Sequence, residues 1–239
     1  MPFSRFDISV IHHYAPLHYL PLIARSGMLL SKPSLAKAGF GSDHLRSMSS
    51  RSDIRRGFGD CAFMTLDPRP RILGGKLNAG FPHIAIEVPS SAVARTEFSL
   101  SRFNVAMTRM LRRDGLPGRP ESPTNGRYYG DREIPIARTD ADKIALLGKH
   151  LSKGTMIEVL IHGDLLLPDD TSIICFCEED LQIAQRVLAE LAVPWAATRQ
   201  QPIGPYKRRA DYAAAVEDFI AQSLADPGWR GNGLEFDRV

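Results

Sequence analysis

Glu158 stands in the stretch Thr155-Met156-Ile157-Glu158-Val159-Leu160-Ile161-His162, which is apolar, rich in branched residues and bounded by Gly154 and Gly163. That composition predicts a β-strand. A carboxylate inside a buried strand is costly unless it is paired or has a task. Glu158 therefore either faces solvent from an edge strand or projects into a cleft to do chemistry. Two further polar elements sit beside predicted strands. One is His12-His13-Tyr14, at the end of a first strand beginning at Ile8, and the other is Arg55-Arg56-Gly57-Phe58-Gly59-Asp60, before Cys61. A lone histidine at a strand end is commonly a satisfied structural group. The order histidine, arginine loop, strand glutamate is more specific than any one of the three.

Net charge is only +3 over 239 residues, but arginine is unevenly spread. It is dense at Arg46, Arg51, Arg55, Arg56, Arg69 and Arg71, again from Arg102 to Arg132, and in Lys207-Arg208-Arg209. Guanidinium groups suit planar, bidentate contacts to phosphate or carboxylate, although interleaved acids such as Asp53, Asp60 and Asp67 also fit an ordinary solvated surface. No Gly-x-Gly-x-x-Gly, P-loop, His-Glu-x-x-His, Cys-x-x-Cys or Gly-x-Ser-x-Gly pattern occurs, so Rossmann, P-loop, zinc-hydrolase and serine-hydrolase sites have no foothold. The three cysteines, Cys61, Cys175 and Cys177, read as reduced core residues, with Cys175 and Cys177 on one face of a strand and no metal expected. No signal segment and no membrane span are visible, so a cytoplasmic protein is expected.

These groups need a scaffold. Leu17 to Ser26 predicts a helix ended by Gly27. Residues 31 to 59 read as a long loop of the lid or binding kind. Strands are predicted at Cys61–Leu66, His83–Val88 and Ser172–Cys177, with a short edge strand at Glu133–Ile136. Helices are predicted from Thr139, with Ile144, Leu147 and Leu151 inward, and over Glu178–Leu191, with Leu181, Ala184, Val187 and Leu188 inward. A last helix covers about Arg209 to Leu224, using Tyr212, Val216, Phe219 and Ile220. Residues 112 to 132 are broken by glycine and proline and carry Tyr128-Tyr129. The whole reads as a single α+β domain over residues 1 to 239, with a loose tail from about 226.

The chain resembles the ADP-ribosyltransferases, and within them the DarT-like DNA ADP-ribosyltransferase toxins. The resemblance rests on His13-Tyr14-Ala15, Leu20-Pro21-Leu22-Ile23 and Gly27-Met28-Leu29. It continues through Ile54-Arg55-Arg56, Asp60 to Leu66 and Asp67-Pro68-Arg69-Pro70, and ends on Ile157-Glu158-Val159-Leu160-Ile161 with Pro168. It runs over about residues 8 to 220. Tyr19 departs from an expected asparagine, Ala15 from a threonine, and Cys61 and Met64 from larger rings. The resemblance implies a split central β-sheet with flanking helices and NAD as co-substrate, with no metal. It implies Glu158 beneath the ribose, offsetting charge in an oxocarbenium-like transition state and helping to deprotonate the acceptor base. Arg55 or Arg56 would grip the pyrophosphate or the acceptor, with Arg51 the alternative. His13 would bond the nicotinamide-side ribose, and Tyr14 and Phe63 would line the nicotinamide pocket, although plain core packing is the stronger reading for Phe63. Arg127, Tyr128, Tyr129 and Arg132 are types that stack on an unpaired base and hold its phosphates. Glu133, beside Pro135, is the rival carboxylate.

The expected activity is thus ADP-ribosyl transfer to a base in single-stranded DNA, by the toxin of a toxin–antitoxin or phage-defence pair with a separate antitoxin. Rivals are an RNA-directed transferase or 2′-phosphotransferase-like enzyme, a non-catalytic single-strand-binding module, and a protein-directed transferase.

Overall fold

Branched and apolar runs become strands, and capped amphipathic runs become helices, in a largely antiparallel architecture. The computed structural model describes residues 1–39, 58–67, 71–102, 136–153, 156–202, 204, 206 and 208–229. In chain order these form β1 (Val10–Pro16), a 3-10 turn (Leu17–Tyr19), α1 (Leu20–Ser26), β2 (Met28–Leu29), α2 (Lys32–Lys37), β3 (Cys61–Thr65) and α3 (Arg71–Asn78). Then come β4 (His83–Pro89), α4 (Ser90–Val93), β5 (Phe98–Ser101), β6 (Ile136–Ala137), α5 (Asp140–His150) and β7 (Glu158–His162). The chain closes with β8 (Leu165–Leu166), β9 (Ser172–Cys175), α6 (Glu178–Glu190), β10 (Ala196–Arg199) and α7 (Ala210–Ala225).

Eight strands make one sheet in the order β10-β9-β4-β1-β3-β7-β5-β6, and β2 pairs with β8 apart from it. Among the described strands only the pair β9 and β10 runs parallel. The sheet is split in the middle. β1 pairs along its full length with β4, and β3 along its full length with β7. β1 and β3 meet, among the described residues, in the single pair His12–Thr65.

The two faces of the sheet are covered differently. Ile11, Ala15, Ile84, Ile86 and Val88 from one half, with Met64, Val159 and Ile161 from the other, form a continuous core under α1, α5, α6 and α7. On the opposite face the apolar residues separate into two islands. Leu73 and Leu77 of α3 cover Ala85, Ile174 and Phe176 on one half, with Tyr14 against them. Phe58, Cys61 and Leu160 gather on the other, with Phe63 against them.

Several boundaries differ from the sequence expectation. The first strand runs from Val10 to Pro16, because full pairing with β4 carries it beyond His13. The predicted first helix begins as a 3-10 turn and becomes α-helical at Leu20, with Pro21 in the first turn where its missing N–H costs nothing. Gly27 ends it at φ +64°. Within the expected loop from Ser31, Lys32–Lys37 is helical: Asp164 accepts from the Ser31 N–H at 2.6 Å and from Ser34 Oγ at 2.7 Å. The strand at Ser172 stops at Cys175, and Cys177 instead caps α6, its sulfur accepting from the Asp180 N–H. Of the short edge strand expected at Glu133–Ile136, only Ile136 lies in the described residues, as part of β6. α5 buries Lys143, Leu146, Leu147 and His150 rather than Ile144 and Leu151. It lies on β5 and β6, where Lys143 Nζ sits 3.9 Å from the centre of the Phe98 ring. The tail is described to Trp229, whose ring packs edge-on against Phe219 at 4.4 Å.

Candidate active site at the seam of the sheet

Glu158 is the first residue of β7, a strand held between β3 and β5. It is 5% exposed, so the solvated edge position left open by the sequence is not the one adopted. Directly opposed residues of paired antiparallel strands share a face. Following the pairings outward from Glu158 gives a row: Ser101 and Thr65 flank Glu158, His12 flanks Thr65, Glu87 flanks His12, and Ser172 ends the row. Every member of this row is polar. It crosses the seam at the one register pair that joins β1 to β3 among the described residues, and Ser101, Glu158, Thr65 and His12 are all buried.

The row is held by specific bonds. The Thr65 hydroxyl donates to the Ile157 carbonyl at 3.1 Å, and the Leu66 N–H donates to the same oxygen at 3.1 Å. The Asp67 N–H in turn donates to Thr65 Oγ1 at 3.0 Å. The peptide just before Glu158 is thus fixed to the end of β3. Within the other half of the sheet, His12 Nε2 lies 3.1 Å from Glu87 Oε1.

Beyond the His12–Thr65 pair the strands part, and His13, Tyr14 and Phe63 lie there. The Tyr14 hydroxyl donates to the Asp67 carbonyl at 2.7 Å. Burial, reinforced by Asp67 and Glu87, pushes its pKa up and keeps it a phenol. Tyr14 packs on one apolar island and Phe63 on the other, so the two rings flank the seam on the face of Glu158.

His13 is one residue along β1 from His12. By alternation it leaves the sheet on the face of Ile11 and Ala15, away from Glu158. Its Nδ1 reaches through the parted strands to the Phe63 carbonyl at 2.9 Å. A carbonyl only accepts, so Nδ1 carries the hydrogen. Burial holds the ring pKa below its ordinary value, opposed by this bond, so the ring is neutral at pH 7 and Nε2 is an acceptor.

The structure therefore brings Glu158, Tyr14 and Phe63 to one face of the sheet at the seam and His13 into the gap from the other face. It adds His12, Thr65, Glu87 and Ser101, which the sequence reading did not single out as a group. Only strand register could have found them. Arg51, Arg55, Arg56, Arg127, Tyr128, Tyr129, Arg132 and Glu133 lie outside the described residues.

The fold has counterparts among solved structures. DarT of Thermus sp. 2.9 in complex with NAD+ superimposes with a TM-score of 0.51 at 13% identity, over 82% of this chain and 96% of that one. The chain has the DarT fold. DarTG of Thermosipho africanus in complex with ADP-ribose gives 0.51 at 14% identity, over 81% of this chain and 50% of that one. The Thermus DarT in complex with ADP-ribosylated ssDNA aligns at 0.48 with 13% identity, over 86% and 96%. No protein-family model and no curated protein matches the sequence. Among the described residues no helix is long and apolar enough to cross a membrane.

Proposed function

We propose that the protein is an NAD-dependent ADP-ribosyltransferase that modifies a base in single-stranded DNA, with Glu158 as its catalytic carboxylate. The observation that carries this is the buried polar row crossing the seam of a DarT-like split sheet, with Glu158 fixed in it by the Thr65 clamp. NAD supplies an ADP-ribosyl group whose bond to nicotinamide breaks through an oxocarbenium-like transition state, as in glycoside hydrolysis.

The residues at the seam fit that substrate. A neutral imidazole accepting at Nε2, as at His13, suits a ribose hydroxyl, and flanking rings such as Tyr14 and Phe63 suit a flat nicotinamide. Glu158 would bond the ribose hydroxyls and offset the charge that grows at the anomeric carbon. A charge placed in advance costs no reorganisation during reaction, and the clamp on Ile157 places it. The proton lost by the attacking base would pass to Glu158, which then acts as general base. His12 and Thr65 position the row. Arg55 or Arg56, with Arg51 as alternative, would hold the pyrophosphate or the acceptor.

The acceptor assignment draws on Arg127, Tyr128, Tyr129 and Arg132, whose types stack on unpaired bases and pair with phosphates. It is also supported by Thermus DarT, a protein of the same fold that is known in complex with ADP-ribosylated ssDNA. A cytoplasmic toxin of a toxin–antitoxin or phage-defence pair, restrained by a separate antitoxin, is the corresponding biological role.

The deciding experiment is intact-mass analysis of short DNA and RNA oligonucleotides incubated with NAD+ and the protein. An added ADP-ribose on DNA alone is expected, and Glu158→Gln should lower its rate by roughly a thousandfold, the scale of losing one preorganised electrostatic group. Modification of RNA alone would move the acceptor to RNA. Full activity in Glu158→Gln would remove Glu158 from the chemistry.

A further inference from the structure

A second polar cluster lies on the face of Glu158 at the far end of β7. Counting along the strand, His162 is about 13 Å from Glu158. The cluster is outside the row described above, and nothing in the proposed transfer uses it. Cys61 opens β3 and is paired in register with His162, which closes β7. Cys61 Sγ is 3.6 Å from His162 Nδ1 and 3.8 Å from Asp60 Oδ1. One donor atom from each of the three residues falls within 4.8 Å of the others.

We propose that Asp60, Cys61 and His162 form a binding site for a divalent transition metal of the zinc class. Bond lengths of about 2.3 Å to sulfur and about 2.0–2.2 Å to nitrogen or oxygen, at tetrahedral angles, set neighbouring donors about 3.6 Å apart. The two sulfur-centred distances already have that size, so the site needs little movement to close on an ion. Thiolate and carboxylate together neutralise a dication, and a thiolate–imidazole pair selects zinc-like metals over magnesium or calcium. The remaining position would be taken by water.

The imidazole is already oriented for this task. His162 Nε2 is 2.8 Å from Ser99 Oγ, so Nε2–H can donate to the hydroxyl while Nδ1 turns its lone pair to the metal. The backbone is equally fixed. The His162 N–H donates to the Glu97 carbonyl at 2.9 Å and the Gly163 N–H to the Asp60 carbonyl at 3.2 Å. Access comes from the Asp60 side, which is exposed, whereas Cys61 is 3% exposed. That burial argues against Cys61 as a nucleophile and is compatible with a structural ligand. A bound ion would pin together β3 and β7, the strands that carry Thr65 and Glu158.

The test is Co(II) titration of the full-length, chelator-treated protein, read by thiolate-to-cobalt charge transfer in the near ultraviolet and by displacement with Zn(II). One cobalt per chain with that band is expected, along with a Zn(II)-dependent rise in melting temperature. Cys61→Ser should lose the band and Cys177→Ser should keep it. Ser99→Ala should weaken binding by roughly 10- to 100-fold, the scale of losing the partner that orients a ligand, and the exposed Asp60→Asn, which removes a carboxylate ligand, by at least as much. Should Cys61→Ser fail to fold, these two variants decide. The proposal is overturned if folded wild type shows no band at millimolar Co(II), if the band follows Cys177, or if both variants bind as wild type does. The contacts would then be ordinary thiol and imidazole hydrogen bonds.

Discussion

His13 shows how one residue's setting becomes a measurable property. Its ring is held neutral by burial, so its folded pKa lies below the ordinary 6.5. Above that value folded and unfolded chains bind the same number of protons here, and the stabilisation is fully present. As pH falls, the unfolded chain takes up a proton that the folded one resists, so stability is lost down through the folded pKa. Thermal midpoints followed from pH 7.5 to 5 should therefore fall less steeply in His13→Gln than in wild type. Equal slopes would mean that the ring titrates normally. The same ring bears on the transfer reaction, because protonation would remove the Nε2 acceptor assigned to the ribose. Activity in the proposed assay should decline over the same acidic range.

Among elements, the junction of α6 and α7 contains the most consequential buried charge. Asp180, fully buried in the first turn of α6, is 3.0 Å from Arg208 Nε and accepts from the Tyr206 hydroxyl at 2.8 Å. Arg208 also reaches Glu217 of α7 at 3.5 Å, so it ties the start of one helix to the body of the next. Burial pushes the Asp180 carboxyl pKa up, and Tyr206 and Arg208 oppose that. The neighbouring Cys177 thiol is pushed up to about 12, first by burial and then by Asp180, which keeps this capping sulfur unreactive. Removing Arg208 would leave Asp180 buried without its cation. Arg208→Ala should cost about 3–5 kcal/mol in urea unfolding, and a double variant with Asp180→Asn should recover part of it. A loss below about 1 kcal/mol would reduce the pair to the standing of a surface contact.

For the whole molecule, the two halves of the sheet are joined at the seam by the shared core on one face and by little strand pairing. Among the described residues one register pair joins β1 to β3, and on the face of Glu158 the apolar islands stay on separate halves. A ligand lying across that line should add contacts between halves on a face where the apolar islands stay apart. NAD+ at about a hundred times its dissociation constant would stabilise a protein that binds it only when folded by about 2.7 kcal/mol. For a chain of this size that is on the order of 5–10 °C in melting temperature. Glu158→Gln should keep much of this shift while losing transfer, because the rings and His13 remain. No shift with NAD+ at any concentration would sink the seam as the site.

What was legible before the fold was known follows from how far each property reaches along the chain. β3, β4 and β9 were visible as branched, alternating runs, and α5 and α6 through their caps and periodicity, because those signals lie within a few residues of each other. Glu158 was visible for the same reason, as one carboxylate in an apolar stretch. The two-residue strands β2 and β8 are too short for a pattern, and β10 (Ala-Ala-Thr-Arg) lacks large branched apolar residues, so all three exist through pairing with other strands. α5 turned a different face inward because the sheet edge beneath it, including Phe98, selected Lys143 over Ile144. The polar row is the clearest case. Ser101, Glu158, Thr65, His12 and Glu87 come from five strands, and a slip of one residue would send any of them to the other face. Residue type could mark Glu158 and the His12-His13 pair, but only register, a property of strands meeting in space, determines which histidine shares a face with the carboxylate.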